Sequence, residues 1–400
     1  MPDSTGAIDV SGQSVDWQAD GITVAVDVFA DRVTMNAGSG ELEASGVAVE
    51  STGEVVLRGD GATLEGTTVD NYQDGNGDDK SVTIDATSGD LAATGASVTT
   101  ANDLAIDGAG LDLTSASLDT YVDGNGFGAL DVSGTGTVTA TDATVDVAND
   151  LSLSGDAVDV SGATLDNYQG GDGDGRPVTI EATGGDVTAS GTTVATANDI
   201  TIDGGDVDVS DASLNNYQNG NGFGSLTVTA DGAVTATAAA FDSADRISVT
   251  GASVDVSDAS LNNYQNGNNN VEPVEVTAES GPLTGTNVDV DSASKIEFAG
   301  ASLDLTGGNL DNYQNGNGNG DNVVLRATAG DMVLEDAYLV TQDTDDQNLQ
   351  AYGTDTSGDD LFVDGARFHE GNTNGNNGEL YNVNDVDVTG TPARGTVITS

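Results

Sequence analysis

Three features of this 400-residue chain predict an all-β fold, a right-handed parallel β-helix (β-solenoid) of about 14–16 coils. Apolar residues alternate with polar ones in short runs. One tyrosine motif recurs six times at nearly constant spacing. A Gly/Asn/Asp-rich insertion trails each recurrence, which places a loop in alternate coils.

The alternation is clearest in Leu151-Ser152-Leu153, Val158-Asp159-Val160, Val178-Thr179-Ile180 and Val187-Thr188-Ala189. Period two with Val and Thr enrichment describes strands with one face buried and the other wet. Gly, Asp and Asn punctuate these runs, proline is scarce, and no 3.6-residue apolar period of useful length competes.

The motif, written LDNYQ or LNNYQ in its commonest forms, centres on Tyr72, Tyr121, Tyr168, Tyr217, Tyr264 and Tyr313, at intervals of 49, 47, 49, 47 and 49 residues. Every second copy is 96 residues on, so a 96-residue block has been repeated with no net insertion or deletion. Fixed periods of this length mark arrays whose units bury their apolar faces against neighbours. Residues 149–176 carry three short strands and then an insertion; residues 177–197 carry three strands and none. One 47–49-residue repeat is therefore two coils of about 21 residues plus a loop. Right-handed winding is the sense that parallel crossovers favour. Tracing coils over 8–342 gives about 14 of them and, at ~4.8 Å per rung, a rod roughly 65 Å long. Because strand side chains alternate faces, one inserted residue would turn every later side chain the wrong way, a physical reason for copies of constant length.

Residues 1–30, with Trp17 and Phe29, are expected to form an N-terminal cap or first coil, and 31–342 the repeats. Near 343 the string DTDDQNLQ interrupts the register, and 351–400 gathers Tyr352, Phe362, Phe368, His369 and Tyr381. An open solenoid end must be covered, so 343–400 is expected to be irregular coils acting as a cap, or a contact module.

The formal net charge is −58, from 67 acidic and 9 basic residues, with Lys80 and Lys295 the only lysines. A compact chain so charged repels itself at ordinary salt. At 1 M salt the screening length is ~3 Å and surface carboxylates scarcely feel one another. The composition thus predicts a protein built for molar salt that loses structure below a few tenths molar. Nucleic acid is excluded as a partner, because binding it requires phosphate neutralisation. The absence of cysteine removes disulfides, thiolate metal sites and thiol catalysis. No stretch reaches the ~20 apolar residues of a membrane span. The start, MPDSTGAIDV, shows no signal peptide, and no Asn-x-Ser/Thr acceptor occurs.

SGDLAATGASVTTANDLAIDGAGLDLTSASLD and GGDVTASGTTVATANDITIDGGDVDVSDASL resemble the β-helix repeats of filamentous-haemagglutinin-like adhesins, in which G-D-L/V-x-x-x-G alternates with apolar-x-apolar steps. The resemblance covers most of 31–342, and the acidic style resembles that of halophilic archaeal proteins. It implies a secreted, elongated surface structure that mediates attachment. The chain departs from those adhesins in lacking a recognisable N-terminal secretion domain and in carrying the NYQ-NGNG insertions.

Among candidate chemical groups, Asp74, Asn76, Asp78 and Asp79 place oxygen side chains among glycines, the layout of a calcium loop. Asp172, Asp174 and Asp321 belong to partial versions, so calcium is the cofactor these loops suggest. No terminal bidentate Glu completes an EF-hand pattern, and the same Asn-Gly and Asp-Gly pairs also serve as tight turns. The six tyrosines, stacked in alternate coils, would lie ~9.6 Å apart. They either bury at a coil corner to anchor the flanking loop or offer a row of rings to sugars. Among 67 acidic residues a carboxylate pair at glycosidase separation is expected by chance. No catalytic set is therefore assigned; His369 with Glu370 is the only isolated proton-transfer candidate. The run Thr137-Val138-Thr139-Ala140-Thr141 resembles those of ice-binding solenoids, but threonine is not maintained from coil to coil.

These readings converge on an extracellular or cell-surface structural or adhesive rod of a halophile. It would display loops 73–80, 122–128, 169–176, 218–224, 265–272 and 314–322 along one edge. Its partners would be further copies of itself, in a filament, or a surface glycan. The alternative reading is a polysaccharide-binding or -cleaving β-helix such as a viral tail-fibre-like protein.

Overall fold

A computed structural model describes residues 8–71, 80–121, 128–167, 176–216, 224–263, 272–292, 294–312, 323–342, 349–353, 361–362, 367–371 and 387–389. The chain divides into two compact units, residues 1–197 and 198–400. Each is a parallel β-helix whose coils contribute a five-residue strand, a two- or three-residue strand and a three-residue strand. Among the described residues no helix is long and apolar enough to cross a membrane.

In the first unit the five-residue strands are Val55–Gly59, Val82–Ala86, Leu104–Gly108, Leu130–Gly134, Leu151–Gly155 and Val178–Ala182. In the second, as far as residue 327, they are Ile200–Gly204, Leu226–Ala230, Ile247–Gly251, Val274–Ala278, Ile296–Gly300 and Val323–Ala327. Their starts are spaced alternately by 26–27 and 21–22 residues. The longer step contains an insertion, so two coils of about 21 residues plus one loop make each repeat, as the sequence predicts.

Parallel register lays identical side-chain types over one another. Val82, Leu104, Leu130, Leu151 and Val178 are consecutive partners in the first unit. Ile200, Leu226, Ile247, Val274, Ile296 and Val323 are partners in the second. All are essentially fully buried. Each unit's core is thus a column of aliphatic ladders in which burying one such side chain is worth about 1.5–3 kcal/mol.

From the coil of Leu42–Glu43 to that of Met332–Val333 one corner keeps a constant length, and four residues past the buried residue of the short strand each of these coils steps into the left-handed region. In the first unit the steps are Gly46, Gly66, Gly95, Ser115, Asp142, Gly162 and Gly191; in the second they are Asp211, Ala238, Asp258, Asn287, Gly307 and Asp336. The φ values lie between 55° and 69°. In alternate coils an aspartate opens this turn: Asp112, Asp159, Asp208, Asp255 and Asp304 each accept the N–H two residues on at 2.9–3.1 Å. Such short local bonds let Asp replace a backbone turn. The same register pairs Thr139 with Asp112 and Asp159, so the threonines build no continuous ladder.

Ile8–Gln18 is already a rung, paired in parallel with Val28–Asn36, with a register shift between Val10 and Ser14. Beyond 342, Leu349–Gly353, Leu361–Phe362, Arg367–Gly371 and Asp387–Thr389 continue the parallel pairing.

Candidate functional site

The insertions leave the coil at the corner after the third strand, and the two coil types treat that corner differently. In the insertion-free coils from Ser51 on, that of Val147 excepted, a Ser or Thr stands at this corner, and in four of them it turns the chain within three residues. Ser51 Oγ accepts Gly53 N–H (3.1 Å), Thr100 Oγ1 accepts Asn102 N–H (3.2 Å), Ser243 Oγ accepts Asp245 N–H (3.2 Å) and Ser292 Oγ accepts Ser294 N–H (3.1 Å). Insertion-bearing coils carry Asn71, Thr120, Asn167, Asn216, Asn263 and Asn312 at the same position, all of them buried.

These buried side chains reach across the insertion and hold its far end. Asn71 Nδ2 donates to the Lys80 carbonyl (2.8 Å), Asn167 Nδ2 to Arg176 (2.5 Å), Asn216 Nδ2 to Gly224 (2.7 Å) and Asn263 Nδ2 to Glu272 (2.8 Å). Thr120 Oγ1 does the same to Gly128 (3.0 Å). The following coil often adds a second donor to the same oxygen: Thr100 to Lys80 (3.4 Å), Thr196 to Arg176 (3.1 Å) and Ser243 to Gly224 (3.3 Å). A buried carbonyl left unpaired costs about 1–3 kcal/mol, so this clamp fixes both feet of a long insertion.

Two insertion classes alternate. After Asn71, Asn167 and Asn263 the clamped carbonyl is nine residues on; after Thr120 and Asn216 it is eight. The shorter class ends on Gly128 or Gly224, where a Cβ would fall 2.1 Å from Asn102 O or Asn198 C respectively. Only glycine fits there. The next N–H is taken by an aspartate of the preceding corner, Ala129 by Asp103 (2.9 Å) and Ser225 by Asp199 (2.8 Å).

Just outside the clamp runs an outward column. In the first unit it places Asp119, Asp146 and Asp166 on successive rungs, and Glu50 beside Asp70. Partial burial and then the charges of Asp119 and Asp166 push the Asp146 carboxyl up to about 6. Glu50 is raised by burial and by Asp70 and Asp27. Cations gather elsewhere: Arg246, Lys295 and Arg326 pair with Glu275 and Glu297 in one cluster of the second unit. Burial would raise Glu297, but hydrogen bonds from Lys295 and Arg326, with their charges, hold it below the usual range.

Of the tyrosines, Tyr121 is described: its ring is half-buried and its N–H donates to Asp119 Oδ1 (2.8 Å). Tyr72, Tyr168, Tyr217, Tyr264 and Tyr313 lie outside the described residues, as do Asp74, Asn76, Asp78, Asp79, Asp172, Asp174 and Asp321. His369 and Glu370 sit on Arg367–Gly371, in register with Val340 and Thr341. Among the described residues no three carboxylates or histidines converge to hold a metal ion. Sequence reasoning missed the clamp, although Asn or Thr before every motif tyrosine is its signal. Comparison of the chain with protein-family models, with curated proteins and with solved structures returns no match.

Proposed function

We propose that this protein is a structural or adhesive β-solenoid of a halophile's cell surface, presenting its Asn/Gly/Asp insertions for many weak contacts with further copies or with a surface glycan. The observation that carries this reading is the clamp. Alternate coils open at the same corner, and buried Asn or Thr side chains hold both ends of the opening. Most insertion-free coils bury a shorter Ser or Thr there, whereas in four insertion-bearing coils a longer Asn spans the opening and bonds its far end. Repeated display from a regular scaffold suits avidity, in which weak sites act together. The acidic composition, −58 overall, supports a working environment of molar salt. Calcium, taken by loops such as 74–79, is the proposed cofactor.

Electron microscopy of the protein in ~3 M salt, with calcium and with EGTA, tests the reading. Filaments, bundles or binding to glycan-coated surfaces are expected, and they should vanish when the insertions are shortened to the Ser/Thr corner of the alternate coils. Unchanged assembly and attachment in a folded loop-shortened variant would defeat the display idea.

A further inference from the structure

The start of the 122–127 insertion differs from its counterpart 96 residues later. In the first unit Asp119, Asp146 and Asp166 occupy three successive rungs of one outward column. Asp119 Oδ1 also accepts the Tyr121 N–H at 2.8 Å, so the column directly holds the residue from which the insertion departs. The underlying clamp is at its thinnest here: Thr120 replaces the usual Asn, and Val147, buried and apolar, replaces the Ser or Thr of the next coil. The corresponding column of the second unit reads Asn215, Asp242, Asn262, with amides on both sides of the carboxylate.

We propose that the Asp119–Asp146–Asp166 run is a proton-dependent latch on the start of the 122–127 insertion. With one proton on the run the three rungs stay together. When it leaves, mutual repulsion draws Asp119 away from Asp146 and loosens its bond to Tyr121. Asp119 and Asp166 are the titratable groups facing Asp146 from the strands on either side. The other outward residues, Ser117, Thr144 and Thr164, are uncharged, and no basic residue lies on any of the three strands. In-register strands set such carboxylates ~4.8 Å apart; like charges so close oppose double ionisation, and because all three are half-buried, salt screens them far less than it screens exposed carboxylates. The raised affinity of Asp146 for its proton agrees with this geometry. The sign follows: a carboxyl raised in the folded state stabilises below its ordinary pKa and loses that contribution as pH rises to about 6.

Control of loop display by pH rests on the reading above, whereas the latch itself is tested without reference to what the insertions bind. Amide exchange at Tyr121, expressed as a protection factor, should fall roughly fivefold from pH ~5 to ~7.5 in the wild type. In Asp146→Asn it should stay high across that range. Carboxyl NMR should show the Asp146 midpoint moving down in Asp166→Asn. Constant protection in the wild type, an equal fall in Asp146→Asn, or an unmoved midpoint in Asp166→Asn overturns the latch. Assembly that survives loop shortening while the latch titrates would overturn only the display reading.

Discussion

The stems at 119–128 and 215–224 occupy the same place in the 96-residue block, yet they are held differently. At the second, Asn216 grips the Gly224 carbonyl (2.7 Å) and accepts Ala244 N–H (3.0 Å), while Ser243 adds a second donor to Gly224 (3.3 Å). At the first, Thr120 meets Gly128 (3.0 Å), its contact with Ala148 N–H is long (3.4 Å), and the Val147 side chain has no donor. Both keep the same exit glycine and the same aspartate on the following N–H. The contrast separates what a solenoid must conserve between copies from what it can vary. Backbone crowding and coil length allow no exchange, whereas the number of side-chain donors on a buried carbonyl can drop from two to one.

The sharpest test removes what the two stems share. In Gly224→Ala the new Cβ would collide with the Asn198 backbone, 2.1 Å away, which no rotamer change relieves. A loss of about 3 kcal/mol is expected by thermal unfolding in molar salt, and a similar one for Gly128→Ala. Gly66→Ala is the control: with open space around its Cβ, it bears only left-handed strain, about 1 kcal/mol.

Next comes the donor that differs. Asn216→Ala strips one donor from Gly224 and leaves Ala244 N–H without its acceptor, a cost of about 1–3 kcal/mol. Thr120→Ala, losing one good bond, should cost about 1 kcal/mol. Equal losses at the two stems, measured by denaturant midpoints, would erase the distinction drawn between them.

A smaller effect would convert one stem into the other. Val147→Thr puts a hydroxyl where Ser243 sits in the second unit, within reach of the Gly128 carbonyl. A buried Val→Thr exchange normally destabilises; here it should be neutral or stabilise by up to about 1 kcal/mol. Smallest of all, Ala238 holds φ 56° at a corner where other coils place Gly, Asp, Asn or Ser. Ala238→Gly should raise stability by about 0.5 kcal/mol, because relief of left-handed strain exceeds the entropy cost of glycine.

Much of the fold was legible because a solenoid is written locally. Alternation in Val178-Thr179-Ile180 announces a strand with one buried face, and that face is buried. The six tyrosine motifs mark the coils that open. The clamp was harder to read, since Asn71 or Asn167 looks like one more polar turn residue beside the Asn/Gly run. Its role depends on a carbonyl nine residues away that reaches it only when the chain closes the corner. Nor could composition separate Asp146 from the other acidic residues. Its raised proton affinity comes first from partial burial and then from rungs 27 residues before it and 20 after it, brought alongside by parallel pairing.

By itself, then, the sequence determined strand period, coil length, the position of every insertion and the charge the surface must carry. Each of these follows from residue type and spacing along the chain. Which polar groups grip an insertion, which glycines admit no side chain and which carboxylates stand on adjacent rungs were decided only by tertiary structure. Those properties belong to atoms a few ångströms apart in space but a coil apart in sequence, and only the register of the closed coil sets those distances.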